Sequence, residues 1–374
     1  MKKRAALLSI LLAAALLLGY ASAAGGDAGD PLVSLDYLRS VFLPKAETAA
    51  REKLDASGKT VYETAETKWR TAVAGAEAAT GSERAGTWTE ARLKQGDVLS
   101  GLTGTQVNVL AGDVRAQFSS GAVIDVTDGT ELASGTALKT RHRYMAAEDT
   151  IALFTVSSRT AVVYYCGDYH FTLSASAPDY SAMASALKAL SLFKGTDTGY
   201  GGGFDLEVTP TRIQALIMLI RLLGEEDEAL ACTSPAPFKD ISSGYWGRPY
   251  IAYACEKGYT NGVEDNKFAP DRSASEGMYV EFVLRALGYS DTTQTDVSTA
   301  ADRALSAGVL TAGERAALRA NDFLRADVVY LSWYALGVPL YGGALTLHEK
   351  LEAAGVFPAE AYVRAGTLVT SARL

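Results

Sequence analysis

The sequence predicts an α+β multidomain protein. It should have an N-terminal helical segment, a compact all-β domain built as a sandwich or roll, and a C-terminal all-α array. Three observations carry this reading. Residues 31–82 are rich in Ala, Glu, Lys and Leu. Residues 87–176 alternate short β-branched runs with Gly, Asp, Asn and Ser turns. Residues 204–357 repeat one helical pattern three times. The 374 residues suffice for two or three domains with a sizeable core, and 48% apolar with 21% charged residues is ordinary for a globular chain.

In chain order, residues 1–23 read as a secretory signal. Lys2, Lys3 and Arg4 form its basic start, residues 5–18 an apolar run broken only by Ser9, and Ala21-Ser22-Ala23 the cleavage site. The run is short for a bilayer span, so the mature protein is expected to be exported, with no membrane partner after cleavage. A net charge of −8 argues against nucleic acid as the main partner. Leu32, Leu35, Leu38 and Val41 mark a helical stripe within 31–82. Cys166, Cys232 and Cys255 are too few and odd in number for a disulfide framework, so buried thiols are expected, a 232–255 pair being permitted but not demanded.

About eight short strands are expected over 87–176, because turns recur at sandwich-like spacing. Residues 178–203 read as a helix followed by a Gly-rich linker. Then come three fourteen-residue helices, 211–224, 275–288 and 324–337, each closing on Leu-Gly with the apolar residues on one face. Short helices at 250–260, 300–311 and 347–357 alternate with them. If each short helix pairs with the long one after it, the first long and last short helices are left to close a ring. Residues 358–374 are a tail.

Within this alternation lie "TRIQ" (211–214), "FKD" (238–240), "YW" (245–246), "EKGYTNG" (256–262) and "FAPD" (268–271). In that order and spacing they resemble the S-layer homology (SLH) family over about 204–357, most clearly in the middle copy. The resemblance implies a pseudo-threefold helical array that anchors a protein to secondary cell-wall polysaccharide, often pyruvylated. An Arg fork suits a ketal carboxylate and a Trp face suits a sugar ring. The implied ligand-binding residues are Arg212, Gln214 (in place of the family's Glu), Asp240, Trp246, Gly262 of the turn, and Arg325 and Asp327 of "LRAD". The second copy departs, with Glu276 where Arg is expected and Met278 where Glu is expected, so that groove has lost its anion clamp. Each residue also has a plainer reading: Arg212 solvated in a first turn, Trp246 a wedge between helices, Asp240 a cap on the short helix.

No catalytic residue, metal ligand or cofactor is assigned. His142, His170 and His348 are scattered, and a site joining the first two with Glu148 or Asp149 lacks any spacing signature. The stretch 259–271 has acids near Gly262, but no closing Glu of a calcium loop, and reads as a turn with Phe268 as its plug. The leading expectation is a non-enzymatic surface protein anchored to the wall and displaying the β domain. Alternatives are a wall-polysaccharide enzyme with its site in the β domain, or a self-associating surface-layer component.

Overall fold

The computed structural model describes residues 38–54, 56–58, 60–61, 83–196, 198–293 and 296–374. The expected signal and much of the 31–82 segment lie outside them. The chain divides into two compact units, Met1–Ala79 and Thr80–Leu374. In the first, Leu38–Phe42 is a π-helical turn that runs into α-helix through residue 54.

The second unit opens with nine strands: β1 (Glu83–Lys94), β2 (Val98–Gly101), β3 (Gln106–Ala111), β4 (Val114–Gln117), β5 (Ala122–Asp125), β6 (Thr130–Glu131), β7 (Arg143–Ala147), β8 (Ala152–Val156) and β9 (Thr160–Thr172). All pairs are antiparallel. The order is β4-β8-β2-β9-β3-β7-β5-β6, with β1 also on β9. This single sheet curls into a half-barrel around Val107, Val109, Tyr144, Phe154 and Val163, so the sandwich alternative is corrected to a roll. The alternation along β3 sends Val107 and Val109 inward and Gln106 and Asn108 outward. β9 makes the curl possible by changing partners. Its first half pairs with β3 up to Cys166, and its end pairs with β2 from Tyr169. Gly167 sits at the change with φ +124°, and a Cβ there would lie 2.7 Å from the Thr105 Cα.

Among the described residues ten α-helices follow: α1 (Tyr180–Ala189), α2 (Arg212–Leu222), α3 (Glu226–Leu230), α4 (Arg248–Glu256), α5 (Glu276–Ala286), α6 (Ala300–Ser306), α7 (Ala312–Ala320), α8 (Arg325–Ala335), α9 (Leu347–Ala353) and α10 (Ala359–Gly366). The long helices α2, α5 and α8 pack on one another. Around them α4 packs on α2, α6 on α5 and α1 on α8. The short helices α4 and α6 therefore pack on the long helix before them, contrary to the pairing expected from the sequence. α1, expected before a linker, closes the cycle and buries Met183 and Leu187 in the helical core. The left-handed glycine after each of α2 and α5 reverses the chain, so the next short helix lies back along the helix just finished. Residues 211–224 do adjoin 347–357, for a Cβ on Gly224 would lie 2.8 Å from the Val356 methyls.

The segment 358–374 is no loose tail. α10 packs on α1, and Arg373 bonds the buried Glu314 at 2.6 and 2.9 Å. No helix among the described residues is long and apolar enough to cross a membrane.

Candidate functional site

The starts of the three long helices meet, each against the segment that leads into another. The Arg212 N–H donates to Arg272 O (2.8 Å), Ala274 N–H to Pro210 O (2.8 Å) and Arg325 N–H to Val208 O (2.9 Å). These three related helix starts, the first, second and third grooves in chain order, have diverged in their side chains.

At the first groove, Thr211 and Gln214 form a reciprocal capping box, so the Gln214 amide oxygen accepts from the Thr211 N–H at 3.0 Å. Arg212 does not sit in solvent. It is 3% exposed, its guanidinium lies 5.0 Å from the Phe268 ring centre and 5.2 Å from that of Phe282, and Nη2 donates to Thr260 Oγ1 and Gly262 O, both at 3.2 Å. Nε is buried without an acceptor, and among the described residues no carboxylate lies within ion-pair distance of it. Burial, then repulsion from Arg272 and Arg285, pulls its pKa down to about 10, which leaves it cationic at neutral pH.

Asp240 does not cap the short helix. Its two oxygens accept from the N–H groups of Phe268 (2.9 Å) and Ala269 (2.7 Å), holding the "FAP" turn in which Ala269 takes φ +56°. That turn drives Phe268 to complete burial. Gly262 has φ +82°, and a Cβ there would fall 2.2 Å from the Phe238 ring. Trp246 is no wedge either: it stands 63% exposed beside Tyr245, whose hydroxyl is buried and unpartnered.

The second groove opens into a cleft of about 440 Å³ lined by Ser275, Glu276, Leu318, Arg319, Asn321 and Phe323, among others. Burial raises the Glu276 pKa, with Arg319 pulling the other way, and its Oε2 is unpartnered.

At the third groove, Arg325 is 6% exposed and Nε donates to Phe204 O at 3.1 Å. Asp327 is also 6% exposed and accepts from the Leu324 N–H at 2.7 Å. Its other partner is Arg159, from the turn between β8 and β9, which also donates to Asp322 O. Burial raises the Asp327 pKa despite Arg159. Sequence reasoning missed Arg159, because it lies 168 residues from Asp327 and belongs to no motif.

The other candidates are spread out. His142 does not meet His170. Its Nδ1 lies 2.9 Å from Asp125 and 3.7 Å from Asp128, and these three are the one metal-competent cluster among the described residues. The Asp125 carboxylate also accepts from the N–H groups of Thr127 and Asp128, and Lys139 pairs with Asp128 at 2.6 Å. Hairpin-closing bonds thus account for the cluster. His348 stacks on Tyr362 at 4.0 Å. In the 259–271 loop, Asp265 and Asn266 take left-handed conformations and the Asp265 side chain is 72% exposed. The three cysteines are half-buried rather than buried, and the permitted 232–255 disulfide is absent.

Comparison with known proteins points to the same segment. The S-layer homology domain family matches residues 237–277, which hold Asp240, Trp246, Gly262 and Phe268. The chain is 31% identical over 156 residues to a "Cell surface protein" of Thermoanaerobacter kivui, covering 41% of this chain and 20% of that protein. It is 30% identical over 90 residues to a "Cellulosome-anchoring protein" of Acetivibrio thermocellus, covering 24% of this chain and 20% of that one. A "Surface layer protein" of Brevibacillus choshinensis matches at 28% over 110 residues, 29% of this chain and 10% of its own length. The chain thus spans a fifth or less of the length of these relatives. Over residues 237–277 the chain is thus similar to the S-layer homology domain family, and over up to 156 residues it is similar to cell-surface and surface-layer proteins.

Proposed function

We propose that residues 204–357 act as a non-enzymatic, pseudo-threefold SLH anchor that binds secondary cell-wall polysaccharide without a covalent bond. The observation that carries this reading is Arg212. Among the described residues it is a buried guanidinium without an ion-pair partner, bonded to Gly262 of the segment matched by the family, and that segment also carries the exposed Trp246. A buried charge without a counter-charge is costly. A carboxylate on the polymer, such as a pyruvate ketal, supplies that counter-charge, and the apolar face of a sugar stacks on Trp246. In this reading Asp240, Gly262 and Gln214 shape the loop and helix start rather than touch sugar. The name of the cellulosome-anchoring relative is consistent with such a role.

The test is a pull-down of the full chain with isolated wall sacculi, with and without chemical removal of the secondary polymer. Binding that disappears with the polymer, and falls at least tenfold in Trp246→Ala, supports the anchor. Retention on stripped sacculi at the same level overturns it. An enzyme site in the β domain has no comparable observation behind it, because the Asp125–Asp128–His142 cluster is occupied by turn N–H groups and Lys139. Self-association is checked by light scattering of the same sample.

A further inference from the structure

We infer that the β domain is the built-in occupant of the third groove, and that it fixes how many grooves the array can offer to polymer. The inference rests on the proposed reading of these grooves as polymer sites.

The contact is specific and mostly buried. The Arg159 guanidinium spans the Asp327 carboxylate and the Asp322 carbonyl, and the Arg159 and Asp327 side chains are 15% and 8% exposed. The next residue, Thr160, donates to Glu207 Oε1 at 2.6 Å, on the segment that faces the start of α8. Beside it the Gly201 N–H donates to Glu90 of β1 at 2.9 Å, and Arg92 lies 5.3 Å from the Phe204 ring centre. The β sheet thus reaches the groove through both β1 and the β8–β9 turn.

The two arginine-bearing grooves differ in charge. Among the described residues neither Arg212 nor Arg325 forms an ion pair, but the third groove also holds the Arg159–Asp327 pair. There Arg325 Nε donates to Phe204 O, and Asp327 is engaged by the Leu324 N–H and Arg159. A polymer carboxylate entering there must displace Arg159 and then face the bared Asp327, a like charge at short range. The second groove presents Glu276 to the same ligand. One competent groove remains while the β domain is seated, and a second opens only when Arg159 leaves and the Asp327 charge is removed with it.

The experiment uses the full chain with Arg159→Ala and Arg159→Lys, read in two ways. Amide hydrogen exchange follows 204–208 and 322–327, and saturation binding of solubilised wall polymer gives the number of sites. The inference expects exchange at least tenfold faster in both segments for Arg159→Ala, and the polymer bound at saturation rising about twofold once Asp327→Asn is added to that variant. Arg159→Lys, which keeps the charge but not the two-pronged reach, should fall between. Unchanged exchange in Arg159→Ala overturns the seating. Faster exchange with an unchanged number of sites overturns the control of valency. If the unaltered chain binds no polymer, the anchoring reading itself fails, and the exchange result still decides whether the groove is occupied.

Discussion

Arg212 and Arg325 begin equivalent helices, and both are almost wholly buried, yet their surroundings make them different groups. Arg212 is enclosed by a loop of the following repeat, between two Phe rings and two neutral oxygens, with Arg272 and Arg285 repelling it and the Asp240 carboxylate, already bonded to backbone N–H groups, attracting it less. Arg325 has an acid two residues on, and that acid has drawn in an arginine from another part of the fold. A shared motif therefore sets the position of a side chain, while its availability is set by what packs over it.

The sharpest way to break this comparison is to remove the plug under Arg212. Phe268→Ala should cost about 3–5 kcal/mol, as for a fully buried aromatic, and should release the 259–271 loop with it; urea denaturation of the variant checks this. A change of only a few tenths would mean that the loop does not depend on the ring. Asp240→Ala should cost about 1–3 kcal/mol, because two backbone N–H groups lose their acceptor, and protease sensitivity should rise at 262–272. An unaltered cleavage pattern there would remove Asp240 from its holding role.

On the side of the third groove, burial raises the Glu207 pKa, with the Thr160 hydroxyl opposing. A carboxyl whose folded pKa lies above its unfolded value favours the protonated fold. It therefore takes stability away as pH rises through the window between those two values. Glu207→Gln should flatten thermal stability between about pH 4 and 7 and raise it at neutral pH, and a melting series across that range decides the sign. The smallest stability effect belongs to Trp246→Ala, within about 0.5 kcal/mol because the side chain is largely in solvent, although wall binding should fall. A large loss of stability in that variant would restore the wedge reading.

Much of this was legible from local pattern. The Leu-Gly endings at 224 and 288, with their left-handed glycines, and Phe268 as a plug follow from helix-stop chemistry and apolar spacing, which act over a few residues, whereas Gly337 ends the third long helix without a left-handed φ. The partners of the short helices were not legible, because any neighbouring long helix offers an apolar face and only the direction of chain reversal chooses between them. Asp240 was misread for a related reason: an acid before a helix resembles a cap, and its real acceptor role lies 28 residues on, at Phe268. The single curled sheet turns on Gly167, one residue whose meaning depends on Thr105 lying opposite. Arg159 carries no signal at all, since nothing in "SSRT" distinguishes it from any polar hairpin tip.

The register of β1 on β9 has a mechanical consequence. Glu83 lies opposite Tyr169, while Lys94 lies opposite Thr160. Tension pulling on residue 83 against the end of β9 that continues into α1 would peel the two strands apart one bond at a time. With Arg159 and Thr160 seated, the same tension is resisted at the opposite end of β9, and the whole ladder is loaded lengthwise at once. The short turn beside the third groove thus decides whether a tug on residue 83 unzips the sheet or must shear it.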